Sequence, residues 1–220
     1  MLEKITFRNS VHPQALRSMY WECAQEVNDP GFEKEAWVSA TLLRFGDCGF
    51  TVGQEATLFY CDRRYAPGVV KVPTGPVSAD AAIITSLFIN SERQNKGLEA
   101  VLIDAAIIDL SNRNFAAVEA FGYYSGWTVS YAPLGEPGIE DEVNFEIDSD
   151  MAMACYDRTR HFLGIRPEDI GLMSVDVLLA AGFEIISDHP LIPRLRLELP
   201  PSHDLLSAAA AEDLVAKALA

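Results

Sequence analysis

The most constraining feature of this chain is an apolar strand that leads through a short polar turn into an apolar helix. The strand ends at Leu87-Phe88-Ile89, the turn contains Gly97, and the helix follows directly. Such a turn directs backbone N–H groups of the helix N-terminus towards an anion, and the helix dipole adds a favourable field. A second apolar strand follows at residues 115–121. The spacing therefore predicts a βαβ unit with two parallel strands.

Composition is that of an ordinary globular protein and excludes one class of function. The 220 residues are 49% hydrophobic and 22% charged, which is enough to bury a sizeable core. The net charge of −15 argues against binding to nucleic acid, because phosphate backbones require a basic surface. An anionic small molecule is still compatible, since it needs only local positive potential, such as a helix N-terminus with Arg93 and Lys96 nearby.

Cysteine usage and the apolar runs predict a cytoplasmic, soluble protein. The four cysteines lack the spacing of a disulfide framework or of a metal site, so we expect free thiols in a reducing compartment and no bound metal. The N-terminal residues lack the long apolar run of a secretion signal. No apolar run approaches the ~20 residues that a membrane span needs, so no membrane partner is expected.

The hydrophobic pattern predicts strands and helices over most of the chain. Strands are expected at residues 2–7, 48–52, 55–61, 82–89, 115–121, 182–187 and 194–199. Helices are expected at residues 13–27, 32–45, 97–111 and 172–181, with an alanine-rich tail helix at 203–219. Residues 123–157 are predicted to be irregular, and they are acidic, without Lys, Arg or His.

Two motifs in this order resemble the GNAT superfamily of acyl-CoA-dependent N-acetyltransferases. The core pattern of that family is Q/R-x-x-G-x-G/A after a strand. Gln94 and Gly97 match its first two positions, whereas Glu99 stands where the family has Gly or Ala. The second landmark, a glycine-aromatic pair that follows a helix, is present as Gly182-Phe183.

The resemblance implies an α+β (α/β) architecture, the GNAT fold, with a mixed, partly split β-sheet of about seven strands flanked by helices. Residues 1–200 would form a single acyltransferase domain that contains an inserted acidic segment at 123–170. Residues 201–220 would form a C-terminal helical tail. The runs at residues 76–82 and 189–199 are similar to actinobacterial members of the family.

The same resemblance implies where acyl-CoA would bind, with acetyl-CoA as the expected co-substrate. Its pantetheine arm would pair with backbone groups of Leu87, Phe88 and Ile89, which are free if the two parallel strands splay apart. Its diphosphate would lie on backbone N–H groups of the turn and of the first helical residues. These diphosphate-binding residues are Gln94, Asn95, Lys96, Gly97, Leu98 and Glu99.

Three side chains of the second parallel strand and its end are candidates for catalysis. Glu119 is a lone carboxylate in an apolar strand and is a candidate general base, because burial raises the pKa of a carboxyl group. The alternative for Glu119 is a buried salt bridge with Arg194 or Arg196. Tyr123 and Tyr124 are candidate proton donors for the leaving thiolate.

Two functions from different classes stay open on this evidence. The first is an N-acetyltransferase that transfers an acetyl (acyl) group from acetyl-CoA to an amine by direct attack. The acidic segment favours a cationic small-molecule or peptide amine as acceptor. The second is a catalytically weak or inactive GNAT-fold protein that binds acyl-CoA or another ligand in a regulatory role.

Different residues favour the two functions. Glu99 and Leu178, which stands where the family often has a tyrosine, favour the binding protein, whereas the Gln94-x-x-Gly97 turn favours the enzyme. The sequence is compatible with a homodimer and does not identify the acceptor amine.

Overall fold

The computed structural model of the chain describes residues 1–125 and 149–220, with the side chains of residues 149–152 excepted. The strands are β1 (Glu3–Lys4), β2 (Gly49–Val52), β3 (Ala56–Asp62), β4 (Ala81–Ile89), β5 (Ala117–Tyr123), β6 (Met173–Ser174), β7 (Glu184–Ser187) and β8 (Arg194–Glu198). The helices are α1 (Pro30–Arg44), α2 (Leu98–Asn112), α3 (Ser149–Leu163), α4 (Val175–Ala180) and α5 (Ala208–Leu219). In these two ranges no helix has the length and hydropathy that crossing a membrane requires.

The sheet is mixed and has the spatial order β1-β2-β3-β4-β5-β8-β7, with the short β6 paired to β5. β4 and β5 are parallel, as the strand–helix–strand spacing predicted, and the other pairings along this order are antiparallel. The parallel pair is closed only up to Ile84 and Ala120, although β4 continues to Ile89 and β5 to Tyr123. The predicted fold class, a mixed and partly split sheet flanked by helices, is confirmed.

Two hydrophobic clusters cover the two faces of the sheet. On one face α2 is apolar around most of its circumference and packs with α4 and α5, and the last helix buries Val215 and Ala218 there. On the other face the N-terminal residues and α1 bury Trp21 and Trp37 against the sheet. The four cysteines are free thiols. Residues 208–219 therefore form part of the layer that covers α2.

The helix predicted at residues 13–27 is wrong, because these residues form separate turns. Two backbone carbonyls that a helix would use internally accept hydrogen bonds from a distant part of the chain. The Tyr20 carbonyl accepts from Lys71 Nζ at 2.9 Å, and the Trp21 carbonyl accepts from the Gly68 N–H at 2.8 Å. Helix propensity is worth less than ~1 kcal/mol per ordinary residue, so tertiary contacts of this kind outweigh it.

The other differences concern where elements begin and end. The acidic segment was predicted to be irregular to residue 157, but α3 begins at Ser149; residues 126–148, which carry most of its acidic side chains, lie outside the described residues. The helix predicted at 172–181 begins later, because Met173 and Ser174 pair with β5 instead. The Ser174 hydroxyl then accepts the Val177 N–H and caps α4.

A buried ion pair joins α1 to the N-terminal turns and provides a test of the fold. Lys34 Nζ lies 2.6 Å from Glu22 Oε1, and both side chains are almost completely buried. The ammonium group also lies 4.6 Å from the centre of the Phe59 ring. Breaking such a pair leaves one buried charge without compensation.

We expect Lys34→Met to lower the free energy of unfolding by about 3–5 kcal/mol, as is usual when one partner of a buried ion pair is removed. Urea unfolding followed by circular dichroism measures this change. Lys217→Met, at an exposed position of α5, is the matched control and should unfold as the unchanged protein does. Equal unfolding midpoints for Lys34→Met and the control would contradict a structural role for the pair.

Candidate functional site

The divergence of β4 and β5 opens a cleft with a volume of about 610 Å³. The predicted cofactor-binding residues that line it are Leu87, Phe88, Ile89, Gln94, Asn95 and Glu99. Gly97 borders an adjoining groove between α2 and α4, Leu98 is fully buried in the core, and Lys96 is exposed. The strand end and the turn that sequence analysis singled out therefore border one continuous space.

The open edge of β4 presents only some of its backbone groups to this cleft. On the β3 side, the Asn90 N–H donates to the Glu55 carbonyl at 2.8 Å. Hydrogen-bonded and non-hydrogen-bonded positions alternate along an antiparallel strand. The N–H groups of Leu87 and Ile89 therefore point away from β3 and towards the divergence, whereas those of Phe88 and Asn90 point to β3.

One of these two edge groups already has a partner inside the protein. The Leu87 N–H donates to the Gly171 carbonyl at 2.8 Å. The prediction that the backbone groups of Leu87, Phe88 and Ile89 are all free is therefore wrong for the Leu87 N–H and for Phe88, which pairs with β3. The Ile89 N–H agrees with the prediction, because it lies on the open edge of β4.

A 3₁₀ turn at Pro167–Ile170 forms one side of the cleft and is anchored at three successive carbonyls. The anchoring hydrogen bonds are Gln14 Nε2 to Asp169 O at 3.2 Å, Trp21 Nε1 to Ile170 O at 2.9 Å, and Leu87 N–H to Gly171 O at 2.8 Å. Gly171 has φ +65°, and a Cβ added there would lie 2.6 Å from Ser86 Cβ. Only glycine allows the turn to approach β4 so closely.

His12 also lines the cleft, and sequence analysis did not identify it. Its ring stacks on Phe88 with the ring centres 6.0 Å apart, and burial lowers the pKa of the imidazole. Its Nδ1 accepts the Gln14 N–H at 3.2 Å, so this hydrogen bond assigns the proton of the neutral ring to Nε2. His12 is thus a neutral hydrogen-bond donor, and no motif in the sequence signals it.

Glu119 lies outside the cleft, and the prediction that it is a catalytic base is wrong. The side chain is fully buried, in the closed part of the strand pair opposite Ile83. Its Oε2 accepts from Arg194 Nη1 at 2.9 Å and from the Ser78 N–H at 3.1 Å, and its Oε1 lies 3.3 Å from Arg196 Nη1. Both oxygens of this carboxylate have polar partners, and the side chain is buried away from the cleft. It therefore cannot take a proton from an amine that is bound in the cleft. The buried salt bridge is the interpretation that holds.

Tyr123 and Tyr124 lie on opposite faces of the sheet, and only Tyr123 lines the cleft. Burial, with a contribution from the charge of Glu168, raises the pKa of Tyr123 to about 12. The phenol is therefore protonated at neutral pH and can donate a proton. Tyr124 donates its hydroxyl to Asp188 Oδ1 at 3.0 Å, on the other face.

The turn before α2 has the backbone shape of an anion site but holds a carboxylate of its own. Asn95 and Gly97 have φ of 58° and 87°. Gly97 is the N-cap of α2 and provides no side-chain cap for the N–H groups of the first helical turn, which leaves those groups available to an anion. Glu99 Oε1 accepts the Asn95 N–H at 3.0 Å, and this negative charge opposes binding of a diphosphate.

The last helix covers the outer side of this turn. A Cβ added to Gly97 would lie 3.2 Å from a Leu214 methyl carbon of α5. Arg93 Nη1 donates to the Ala218 carbonyl at 2.8 Å, and its Nε lies 3.5 Å from Glu55 Oε2. The Arg93 charge, expected beside the turn, is therefore partly used to hold α5 in place.

Over the described ranges, no group of three or more His, Cys, Asp or Glu side chains is arranged to hold a metal ion. The donor set can be compared with the acyl-CoA thioester that the sequence motifs predict. The free edge at Ile89 suits a pantetheine amide, and the uncapped N-terminus of α2 suits a diphosphate. The Glu99 carboxylate is the one group at the turn that does not suit this ligand.

Comparison with known proteins adds two structures of low similarity. No family model and no curated protein sequence matches the chain. A proposed GNAT-family acetyltransferase from Desulfovibrio desulfuricans is 13% identical, with a TM-score of 0.42 over 90% of this chain and 98% of that chain. The ribosomal-protein-S18-alanine N-acetyltransferase from Escherichia coli is 11% identical, with a TM-score of 0.42 over 94% of this chain and 98% of that chain. Such scores carry no conclusion about function, and the actinobacterial resemblance stays a prediction.

The corrected role of Glu119 can be tested by Glu119→Gln, which removes the charge between two arginines. We expect the free energy of unfolding to fall by about 3–5 kcal/mol, while the affinity for acetyl-CoA stays the same. Urea unfolding and calorimetric titration measure the two quantities. Asp80→Asn removes an exposed partner of Arg196 and should have a much smaller effect on unfolding. If Glu119→Gln leaves the free energy of unfolding unchanged but abolishes turnover, the catalytic role of Glu119 is supported instead.

Proposed function

We propose that the protein is an N-acetyltransferase of the GNAT type, which transfers an acetyl (acyl) group from acetyl-CoA to an amine. The observation that supports this most is the edge of β4. Beyond Ile84, β4 no longer pairs with β5, and the Ile89 N–H points towards the cleft. The turn that follows β4 brings the chain to the N-terminus of α2, which has no side-chain cap. A free strand edge suits the amides of a pantetheine arm, and the helix N-terminus suits its diphosphate.

The reaction would be a direct transfer without a covalent enzyme intermediate. The amine nitrogen attacks the thioester carbonyl carbon, the new N–C bond forms, and the C–S bond breaks with its electron pair left on sulfur. The amine attacks in its neutral form, so a cationic acceptor first releases one proton to water. On acylation the amine loses a second proton and the thiolate gains one, which balances the proton count. The Ile89 N–H and the neutral His12 are candidate donors to a developing oxyanion, and Tyr123 is a candidate donor to the thiolate.

A second candidate function is binding of acyl-CoA without turnover, in a regulatory role. Three observations favour it. The Leu87 N–H is occupied by the Gly171 carbonyl, the Glu99 carboxylate lies in the diphosphate turn, and Leu178 has no hydroxyl to protonate a thiolate. The two functions differ in one measurable respect, which is release of free CoA in the presence of an amine.

The deciding experiment combines calorimetric titration of acetyl-CoA with an assay of thiol release over polyamines, amino acids, aminoglycosides and lysine peptides. Binding together with amine-dependent thiol release supports the enzyme. Binding with release no faster than solvent hydrolysis, for every amine class, supports the binding protein. Absence of acetyl-CoA binding at millimolar concentration refutes both.

Tyr123→Phe tests the proton donor. If Tyr123 protonates the thiolate, we expect kcat to fall by about a hundredfold to ten-thousandfold, the usual range for general acid catalysis, with the affinity for acetyl-CoA unchanged. Tyr124→Phe removes the neighbouring hydroxyl, which binds Asp188 outside the cleft, and should change kcat far less. Equal losses of kcat in the two variants would show that Tyr123 is not the proton donor.

Glu99→Gln tests the diphosphate turn. Glutamine can still accept the Asn95 N–H but carries no charge, so the affinity for CoA should rise by about fivefold at low salt, a gain of roughly 1 kcal/mol. The gain should shrink as salt screens the charge. Glu35→Gln, at an exposed position of α1, is the charge-matched control. If both variants bind CoA equally well, the diphosphate does not lie at this turn.

A further inference from the structure

The 3₁₀ turn at Pro167–Ile170 carries the exposed carboxylate of Glu168 to the side of the cleft. Glu168 lines the cleft, and the Tyr156 hydroxyl of α3 donates to its Oε2 at 2.8 Å. Within residues 1–125 and 149–220, no side chain donates a hydrogen bond to its Oε1. The turn is held at three successive carbonyls, so the backbone that carries this carboxylate is fixed in position before any ligand arrives.

Two tyrosine rings accompany this carboxylate. The rings of Tyr123 and Tyr156 have their centres 6.2 Å apart at an interplanar angle of 67°. Burial, and after it Glu168, raises the pKa of both phenols. The field of the carboxylate therefore reaches both rings. Tyrosine faces attract a cation that lies within ~6 Å of the ring centre. A carboxylate beside two such rings is suited to an organic cation.

Among residues 1–125 and 149–220 no cation forms an ion pair with this carboxylate, although Glu168 adds to the effect of Asp169 in raising the pKa of Arg166. Arg166 Nε and Nη2 donate to the two oxygens of Asp169 at 2.8 and 2.7 Å, so the charge of that guanidinium is already paired. Arg160 is the other cation whose charge reaches Tyr156, and in the described part of the chain it forms no ion pair with Glu168. His12, across the cleft, is neutral.

From this geometry we propose that Glu168, Tyr156 and Tyr123 form a subsite for a primary alkylammonium group. It is the acceptor end of the cleft and rests on the proposed acyltransferase function. Glu168 Oε1 accepts a hydrogen bond from the ammonium, Tyr156 holds the carboxylate through its hydroxyl, and the two rings contact the cation and its first methylene groups. The subsite selects a cationic amine over a neutral molecule of the same shape.

The test uses hexylammonium chloride as the probe and 1-hexanol as its uncharged counterpart, with binding followed by NMR shift titration at low salt. We expect hexylammonium to bind and hexanol to bind much more weakly. Glu168→Gln should weaken hexylammonium binding by about tenfold or more, because a charge-assisted hydrogen bond is lost. Tyr156→Leu should weaken it about threefold through loss of a ring, whereas Tyr156→Phe, which keeps the ring, should weaken it less. Glu35→Gln is the charge-matched control and should bind as the unchanged protein does.

Two results overturn the subsite. One is equal binding of hexylammonium and hexanol, and the other is unchanged hexylammonium binding in Glu168→Gln whose fold is intact by circular dichroism. Titration of the same samples with acetyl-CoA distinguishes a failure of the subsite from a failure of the proposed function. Ammonium binding without acetyl-CoA binding supports the subsite and refutes the acyltransferase, and the reverse result refutes the subsite alone. In an active protein, Glu168→Gln should raise KM for the amine and leave KM for acetyl-CoA unchanged.

Discussion

The release of β4 from β5 beyond Ile84 and Ala120 is the constraint on which the rest of the site depends. Unpaired backbone groups inside a protein are costly, and the chain satisfies part of them with residues 171–174. Gly171 accepts the N–H of Leu87 on β4, and Met173-Ser174 pairs with the end of β5. The short segment bridges the two strands near their point of divergence and leaves the edge open further out, where it leads to the α2 turn.

The charged residues of the closed half of the β4–β5 pair differ from those of the open half in their ionic partners. In the closed half, the buried Glu119 joins β5 to β8 through the partly buried Arg194 and Arg196. Both oxygens of Glu119 have partners, which compensates its buried charge, whereas Arg194 Nε has no hydrogen-bond partner among the described residues. In the open half, Glu99 and Glu168 line the cleft without an ionic partner among the described residues. The first opposes an anion at the α2 turn, and the second favours a cation at the opposite side of the cleft.

Local signals in the sequence predicted the central part of the fold. The βαβ unit and the helix at α2 follow from apolar periodicity and from Gly97, and both depend on residues close together along the chain. The N-terminal segment was misread as a helix because its backbone carbonyls serve Gly68 and Lys71, which no local pattern reveals. For Glu119 the sequence left both a catalytic role and a salt bridge with Arg194 or Arg196 open. Only the structure decides between them, since these partners come from a strand that follows Glu119 by more than seventy residues.

The sequence by itself determined the parallel strand pair, the glycine turn at the helix N-terminus and the strongly negative net charge, because spacing, backbone freedom and charge are properties of the chain. Only the tertiary structure decided which groups reach the cleft. His12 and Glu168 belong to segments without a motif, and they line the cleft because Gln14, Trp21 and Leu87 bind three successive carbonyls of one turn. Such contacts join residues far apart in the chain, and their geometry exists only once the sheet and its layers have packed.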